Sequence, residues 1–361
     1  MAIPPARRTS TARPSPRRGS KPAAPPAEPE AAAVAPLPVE ESAPLPELAV
    51  TEVLPFDAED PDHEYVSSVD VLGQLAVVTG GTYHRLILLA STDGQTFHAR
   101  SLLASTDSKK VRGRRSRPSV SGLRRAWMRP DGTVWLLGEY GLVAWSRDRG
   151  VSWKRLRPKV EPCLWDITED AAGQLWIAGD EGVVLRSPDG QRWEEVEVEL
   201  AYRDPRPDPK LRRVPAGLFF CTFAALWDGA RFFRPRGLPA RVALAGVAAS
   251  PRGIVLVVGD NGQAYRSVDG GLAFEAVASG VKTHLEDVAW VAGSFLVVGD
   301  KGTILRSADG ASFARVPSRT KAHLWAIGGW GTGAFVGGAG RLLLRLQTAG
   351  DRHWEGATDA G

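Results

Sequence analysis

A short motif recurs along this chain at a nearly constant spacing, and it constrains the fold more than any other feature. Each copy has a serine, an aspartate two residues later, then glycine, and finally Trp or Phe. A degraded copy contains Asp228, and Asp351 followed by Trp354 ends the series. The well-formed copies are centred on Asp93, Asp148, Asp189, Asp269 and Asp309.

The intervals between successive aspartates are 55, 41, 39, 41, 40 and 42 residues. A period near 40 residues is typical of the four-stranded blades of a β-propeller. Within each period, short β-branched and aromatic runs alternate with Gly and Asp turns, which indicates strands rather than helices. The repeat therefore predicts an all-β chain forming a single β-propeller. Seven four-stranded blades are expected at about 62–104, 123–159, 161–199, 214–239, 240–280, 281–319 and 320–357.

Residues 1–50 differ in composition from the repeat region, being rich in Pro, Ala, Arg, Ser and Glu without a periodic apolar face. Such a segment buries too little apolar surface to offset the entropy of ordering it. We expect a disordered arm over 1–50 and the propeller over 51–361. The run Leu48–Leu54 at this boundary could add an edge strand to the last blade and so close the ring.

The net charge, the cysteines and the hydropathy indicate which compartment and which kinds of site are expected. The net charge is only +4, and the two cysteines, Cys163 and Cys221, have no metal-binding or redox spacing. No disulfide framework is expected. The basic N-terminus is not followed by the apolar stretch of a signal peptide, and no run is long enough to span a membrane. These features predict a cytoplasmic protein without a transmembrane segment.

The motifs resemble the Asp-box, or BNR, repeats of sialidase-type propellers. The blade pattern Gly-Asp-x-Gly, then Arg-Ser-x-Asp-Gly, then Trp is most similar to photosystem II assembly-factor-like propellers. The resemblance covers about 300 residues. It implies a non-enzymatic assembly or stability factor for protein complexes, although photosynthesis itself does not follow from it.

The repeated aspartates are expected to be structural, because a short Asp side chain accepts hydrogen bonds from backbone N–H groups of the turn after it. A second turn, Gly-Asp-x-Gly, occurs at 179–182, 259–262 and 299–302, with a variant at 138–141. It suits hairpins that need positive φ. If these turns share one rim, they form part of an acidic ring that a cation or basic peptide could use, although turn chemistry alone also accounts for them. Its members would be Glu139, Asp180, Asp260 and Asp300.

The first strand of each blade has two apolar residues separated by two others, as in Leu164–Ile167, Leu244–Val247, Leu285–Val288 and Leu324–Ile327. His284 and His323 precede two of these strands and could meet at one mouth of the central channel, near Glu286. A protein metal site needs three or four ligands at set distances. We therefore predict no metal and no cofactor.

Basic residues cluster in the connectors between blades. The first interval leaves about 15 extra residues, which we assign to a basic insertion at 104–122. Arg124 and Arg125 lie within or beside it, and a second connector is also basic. In a meander of four strands, both connectors leave from the face opposite the repeated aspartates. The predicted partner contacts are Lys109, Lys110, Arg112, Arg114, Arg115, Arg117, Arg212 and Arg213.

Such a face predicts a protein partner with an acidic surface, because clustered positive charge on loops attracts acidic groups. A merely solvated Arg-rich loop is the alternative. Nucleic acid is disfavoured, since the insertions contain no aromatic residue except Tyr202 for base stacking. The predicted function is a non-enzymatic, monomeric scaffold or assembly factor.

An enzyme is the main rival. A sialidase would need an Arg triad and a late Tyr–Glu pair, whereas Phe233–Pro235 is only a misplaced motif match and Tyr265 occupies a core slot of the repeat. No catalytic residue is predicted. A carbohydrate-binding or glycoside-hydrolase propeller stays open as the alternative, with Trp165 and Trp325 stacking on sugars at the channel mouth. Salt dependence separates the two, because only the basic-face interaction weakens with salt.

Overall fold

Regular secondary structure in the described part of the chain consists of β-strands and two short 3-10 turns. The computed structural model describes residues 47–54, 65–82, 85–102, 122–156, 158–169, 173–180, 183–196, 226–227, 232–233, 237–238, 243–271 and 273–348. No helix within these ranges is long and apolar enough to cross a membrane.

Six antiparallel sheets have four strands each, and we number them as blades in chain order. Blade 1 contains β2 (Val66–Leu72), β3 (Leu75–Thr82), β4 (Arg85–Ser91) and β5 (His98–Ala99). Blade 2 contains β6 (Leu123–Met128), β7 (Val134–Gly138), β8 (Val143–Ser146) and β9 (Lys154–Leu156). Blade 3 contains β10 (Leu164–Glu169), β11 (Leu175–Gly179), β12 (Val184–Ser187) and β13 (Glu194–Glu195).

After a two-stranded sheet of β14 (Leu226–Trp227) and β15 (Phe232–Phe233), three further blades follow. Blade 4 contains β16 (Leu244–Ala249), β17 (Val255–Gly259), β18 (Gln263–Ser267) and β19 (Glu275–Ala278). Blade 5 contains β20 (Leu285–Val291), β21 (Ser294–Gly299), β22 (Thr303–Ser307) and β23 (Ala314–Arg315). Blade 6 contains β24 (Leu324–Trp330), β25 (Gly333–Gly338), β26 (Leu343–Thr348) and, from the other end of the chain, β1 (Leu48–Leu54).

The prediction of seven four-stranded blades is wrong. The structure has six such blades, and the stretch predicted as the fourth, 214–239, contributes only the β14–β15 ladder within the described residues. This stretch also lacks the Gly-Asp-x-Gly turn, or its variant, that joins the second and third strands of blades 2 to 5, and its repeated motif is degraded at Asp228, so the local signals for a blade are weakest here. The all-β propeller itself is confirmed.

The strand β1 closes blade 6 by pairing antiparallel with β26, with Leu48 opposite Thr348 and Val50 opposite Leu346. The outermost strand of the last blade therefore comes from the N-terminal side of the propeller. Leu48 and Val50 also pack against the apolar cluster between blades 5 and 6. Closure thus buries apolar surface and covers a sheet edge together.

The apolar core lies between the faces of neighbouring blades. One cluster joins blades 1 and 2, another joins blades 2 and 3, and three more join blades 4 to 5, 5 to 6, and 6 to 1. Second strands such as β7, β11 and β25 are buried along their whole length. This burial on both faces explains why they are continuous apolar runs instead of alternating apolar and polar residues.

The Gly-Asp-x-Gly turns at 259–262 and 299–302 are tight because two successive residues adopt left-handed conformations. In the turn at 300–302, Lys301 has φ 55° and Gly302 has φ 68°. A side chain at Gly302 would place its Cβ 2.1 Å from the carbonyl oxygen of Thr320. Glycine is therefore required here both by the backbone conformation and by the close approach of the following connector.

Candidate functional site

A cavity of about 690 Å³ lies among the first, innermost strands of the blades. Residues of β2, β6, β10, β16, β20 and β24 all contribute to its wall. Consecutive inner strands contact each other from β16 through β20, β24, β2 and β6 to β10. The cavity is therefore the central channel of the propeller, a common location for ligand binding.

Every inner strand has the same irregularity near its start. The pairing with the second strand shifts between the first and third residues, as between Leu123 and Arg125 in β6 or Leu285 and Asp287 in β20. Such a β-bulge places two residues opposite one on the partner strand and re-aims their side chains. The consequence is that adjacent residues both line the channel, namely Arg124 with Arg125, Trp165 with Asp166, and Glu286 with Asp287.

A charged cluster occupies the channel wall. The Nε atom of Arg125 lies 2.9 Å from an Oδ1 oxygen of Asp166, and its charge also acts on Asp70 and Asp287. Burial opposes the charge on Arg125, but the three carboxylates outweigh it and raise the pKa of Arg125. The cluster thus keeps a guanidinium inside the channel by surrounding it with carboxylates.

Burial also raises the pKa of each aspartate in this cluster, although Arg125 acts in the opposite direction. For Asp287 the result is a pKa of about 6. Two of these carboxylates hold neighbouring blades together as well. Asp70 accepts a hydrogen bond from the backbone N–H of Met128 at 2.5 Å, and Asp287 accepts one from Ile327 at 3.0 Å.

Aromatic and cationic side chains form an arc at the end of the channel where the inner strands begin. The guanidinium of Arg124 lies 5.2 Å from the ring centres of both Tyr65 and Trp165. Tyr65 contacts Trp325 edge to face at 4.8 Å, and Trp325 stacks on His323 at 6.4 Å. We call these five residues the mouth arc; they come from four consecutive blades.

Carboxylates from the Gly-Asp-x-Gly turns surround the same mouth. Asp180 accepts a hydrogen bond from the indole of Trp165 at 2.7 Å. The Nδ1 atom of His284 lies 2.7 Å from Asp260, and His323 pairs in the same way with Asp300. In the variant turn, Glu139 forms an ion pair with Arg124. The acidic residues predicted from the turn motif are thus brought together at one end of the channel.

Glu286 differs from the other carboxylates at the mouth. Within the described residues, no hydrogen bond or ion pair engages its side chain, which is half-buried in the channel wall. Burial and the charge of Asp300 raise its pKa. The pKa of His284 is also raised, chiefly by its hydrogen bond to Asp260. Among the described residues, the mouth therefore contains one carboxylate without a hydrogen-bond partner, Glu286, beside the His284–Asp260 pair.

The repeated aspartates lie in turns after the third strands, at the opposite end of the blades. Asp93 accepts hydrogen bonds from the backbone N–H groups of Gln95 and Thr96, each at 2.8 Å. Asp148 accepts one from Ser152 at 2.9 Å. The backbone hydrogen bonds lower the pKa of Asp93 to about 2, and hydrogen bonds from the Ser146 and Ser152 side chains, with the backbone one, lower that of Asp148 to about 2. Equivalent backbone contacts are made by Asp189, Asp269 and Asp309.

The predicted partner contacts fall outside the described residues. Gly122, the first described residue after the insertion, donates its backbone N–H to Glu139 at 3.2 Å, so this connector returns at the channel mouth. Lys109, Lys110, Arg112, Arg114, Arg115, Arg117, Arg212 and Arg213 lie in the undescribed stretches 103–121 and 197–225.

Sequence reasoning grouped Arg124 and Arg125 with the basic insertion, and the structure instead places them on the inner strand β6. The signal that could have placed them on an inner strand was the first-strand pattern, in which two apolar residues are separated by two others. Leu123–Ala126 fits it and aligns Arg124 and Arg125 with Trp165 and Asp166 of β10. Tyr65, Asp70 and Asp287 were not singled out, because side chains from separate blades meet only in the closed ring.

No group of three or more His, Cys, Asp or Glu residues in the described ranges is arranged to hold a metal ion. Burial raises the pKa of the Cys163 thiol to about 12.

No protein-family model and no curated protein matches this sequence. Among solved structures, YCF48 from Cyanidioschyzon merolae is 18% identical with a TM-score of 0.57, covering 82% of this chain and 98% of its own. YCF48 bound to D1 peptide is 17% identical with a TM-score of 0.60, covering 85% and 99%. A catalytically inactive virginiamycin B lyase from Staphylococcus aureus with quinupristin is 12% identical with a TM-score of 0.62, covering 84% and 100%. Likeness at this identity shows the propeller fold alone.

Proposed function

We propose that this protein is a non-enzymatic scaffold or assembly factor that binds a partner protein at the end of the propeller carrying the channel mouth. The observation that carries the proposal is the mouth arc. Its Trp, Tyr and Arg side chains are the residue types that dominate binding energy at protein interfaces. Arg124, Trp165 and Trp325 lie on inner strands, and Tyr65 directly precedes one, so little conformational entropy is lost when a partner docks.

The predicted basic contacts belong to the same proposal. The connector that contains Lys109 to Arg117 returns to the mouth at Gly122, so a partner docked there would be within reach of it. Positive loops would steer an acidic protein surface towards the mouth. A neighbouring fold, YCF48, has been captured with a D1 peptide, which supports peptide binding as a use of this architecture.

A pull-down with mass spectrometry from native extracts tests the proposal. Trp325→Ala removes the centre of the arc, and Trp193→Ala is the matched control, since Trp193 is also half-buried but lies after a third strand at the other end. We expect one stoichiometric partner that is retained by Trp193→Ala and lost by Trp325→Ala. We expect the same loss when Arg112, Arg114, Arg115 and Arg117 are changed to Glu. Unchanged capture by a folded Trp325→Ala variant would rule the proposal out.

Carbohydrate binding or hydrolysis is the second candidate. It is favoured by Trp165 and Trp325 at the mouth and by the raised pKa of Glu286, which a general acid would require. Glycan-array binding that resists salt, together with glycosidase activity lost in Glu286→Gln, would support this candidate. Binding that weakens as salt rises supports the protein-binding proposal instead.

A further inference from the structure

We infer that the channel mouth accepts an arginine side chain of an extended peptide, with the guanidinium beside Glu286. The inference rests on the proposed protein-binding function and adds the chemistry of the ligand. It is argued from unpaired groups, from charge and from the aromatic walls of the site.

The first argument comes from Glu286. Its side chain lines the cavity and is half-buried. Within the described residues no hydrogen bond or ion pair engages it, although a carboxylate can accept several hydrogen bonds. A partly buried carboxylate without a partner is costly unless a donor satisfies it. A ligand at the mouth should therefore bring a hydrogen-bond donor.

The second argument comes from charge. Among the described residues, four carboxylates line the cavity, from Asp70, Asp166, Glu286 and Asp287, and two guanidiniums do. Arg124 is paired with Glu139 and Arg125 with Asp166, which leaves Glu286 uncommitted in the described structure. Asp180 adds negative charge at the rim, where Asp260 and Asp300 are paired with His284 and His323. Inside the cavity, as distinct from the basic connectors outside it, these carboxylates attract a cationic group.

The third argument comes from the aromatic walls. The structure already holds one guanidinium between two rings, since Arg124 lies 5.2 Å from both Tyr65 and Trp165. Trp325 provides another half-buried ring next to the cavity. A planar guanidinium stacks on such rings and forms two parallel hydrogen bonds to a carboxylate, which a compact ammonium cannot do. Arginine therefore fits better than lysine.

The test uses the full chain labelled with 5-fluorotryptophan and observed by ¹⁹F NMR. The probes are N-acetylated, C-amidated Gly-Gly-X-Gly-Gly peptides in which X is arginine, its neutral isostere citrulline, or lysine. We expect the arginine peptide to shift the Trp165 and Trp325 resonances but not that of Trp193. It should bind about tenfold more tightly than the citrulline peptide and more tightly than the lysine peptide.

Glu286→Gln should remove this preference for arginine over citrulline, whereas Glu195→Gln, an exposed carboxylate on β13, should leave it intact. Equal binding of the arginine and citrulline peptides, or no shift of Trp165 and Trp325 with any peptide, would overturn the inference. So would shifts of the same resonances by cellohexaose but not by peptide.

If the arginine inference is wrong, the experiments give a different result than if the proposed protein-binding function is wrong. If Glu286→Gln and wild type treat all peptides alike while Trp325→Ala still abolishes partner capture, only the arginine inference falls. If Trp325→Ala leaves partner capture unchanged, the proposed function falls as well.

Discussion

Two neighbouring residues near the start of each inner strand determine the chemistry of the channel wall. A regular strand would direct only one of them to the channel, because successive side chains point to opposite faces. The bulge in β6 and β20 lets both contribute, so Arg124 and Arg125 or Glu286 and Asp287 act together. A substitution at either residue of such a pair should therefore change the charge or the shape of the channel wall.

Gly302 provides a test of close packing at a single residue. Gly302→Ala should cost at least about 3 kcal/mol of unfolding free energy, since its new Cβ would meet the Thr320 carbonyl oxygen at 2.1 Å. Gly293 has a similar positive φ of 81°, but an alanine Cβ at this position would meet no atom within 4 Å, so Gly293→Ala should cost only about 1 kcal/mol. Urea unfolding of both variants measures the difference. Equal losses would show that backbone conformation alone requires Gly302.

Asp148 tests the proposed structural role of the repeated aspartates. Its folded pKa of about 2 lies below the ordinary 3.8, so its contribution to stability is present above pH 4 and is lost as pH falls towards 2. Asp148→Asn should lower Tm at pH 7 by about 2–5 °C and flatten the acid side of the stability curve. Calorimetry between pH 2 and 7 measures both effects. If Tm falls as steeply between pH 4 and 2 in Asp148→Asn as in the wild type, the structural role of Asp148 is contradicted.

Strands and turns were the elements that the sequence pattern predicted best. In blade 3, the first strand expected at Leu164–Ile167 is observed as Leu164–Glu169. The pattern succeeds because each blade repeats the same apolar runs and left-handed turns. It failed at 214–239, where composition resembles a blade but only the β14–β15 ladder forms in the described residues.

The closing strand β1 can be tested by truncation. Removing residues 1–54 deletes β1, which exposes the edge of β26 and the apolar cluster contacted by Leu48 and Val50. We expect Tm to fall by more than about 5 °C and aggregation to increase. Removing residues 1–46 leaves β1 intact and should change Tm by less than about 1 °C. If both truncations behave alike in thermal unfolding, closure by β1 does not stabilise the ring.

The channel belongs to the molecule as a whole, because groups far apart in sequence share one buried space. Asp70, Asp166 and Asp287 come from three blades and act on the same Arg125. Their pKa values depend on ring closure, since burial is the first cause of each shift. The pH dependence of folding therefore reports on the assembled propeller.

We expect stability to fall as pH rises from about 4 to 7. Asp287 has a folded pKa of about 6 against 3.8, so its favourable contribution is complete below pH 4 and is lost as pH passes 6. The raised pKa values of Asp70, Asp166 and Glu286 act in the same direction, as does that of His284 at higher pH. Asp287→Asn should reduce this slope in thermal unfolding measured from pH 4 to 7. A wild-type Tm that rises across this range would contradict the expectation.

Local, repeated features could be predicted from the sequence alone: the propeller class, the strand positions, the tight glycine turns and the acidic residues within them. These follow from patterns of a few residues, in which backbone conformation and burial are set by near neighbours. Tertiary structure decided the number of four-stranded blades and the composition of the channel. It brought Tyr65 to Arg124 and Arg125 to Asp166 across blade boundaries, because only closure of the ring brings separate inner strands together around one axis.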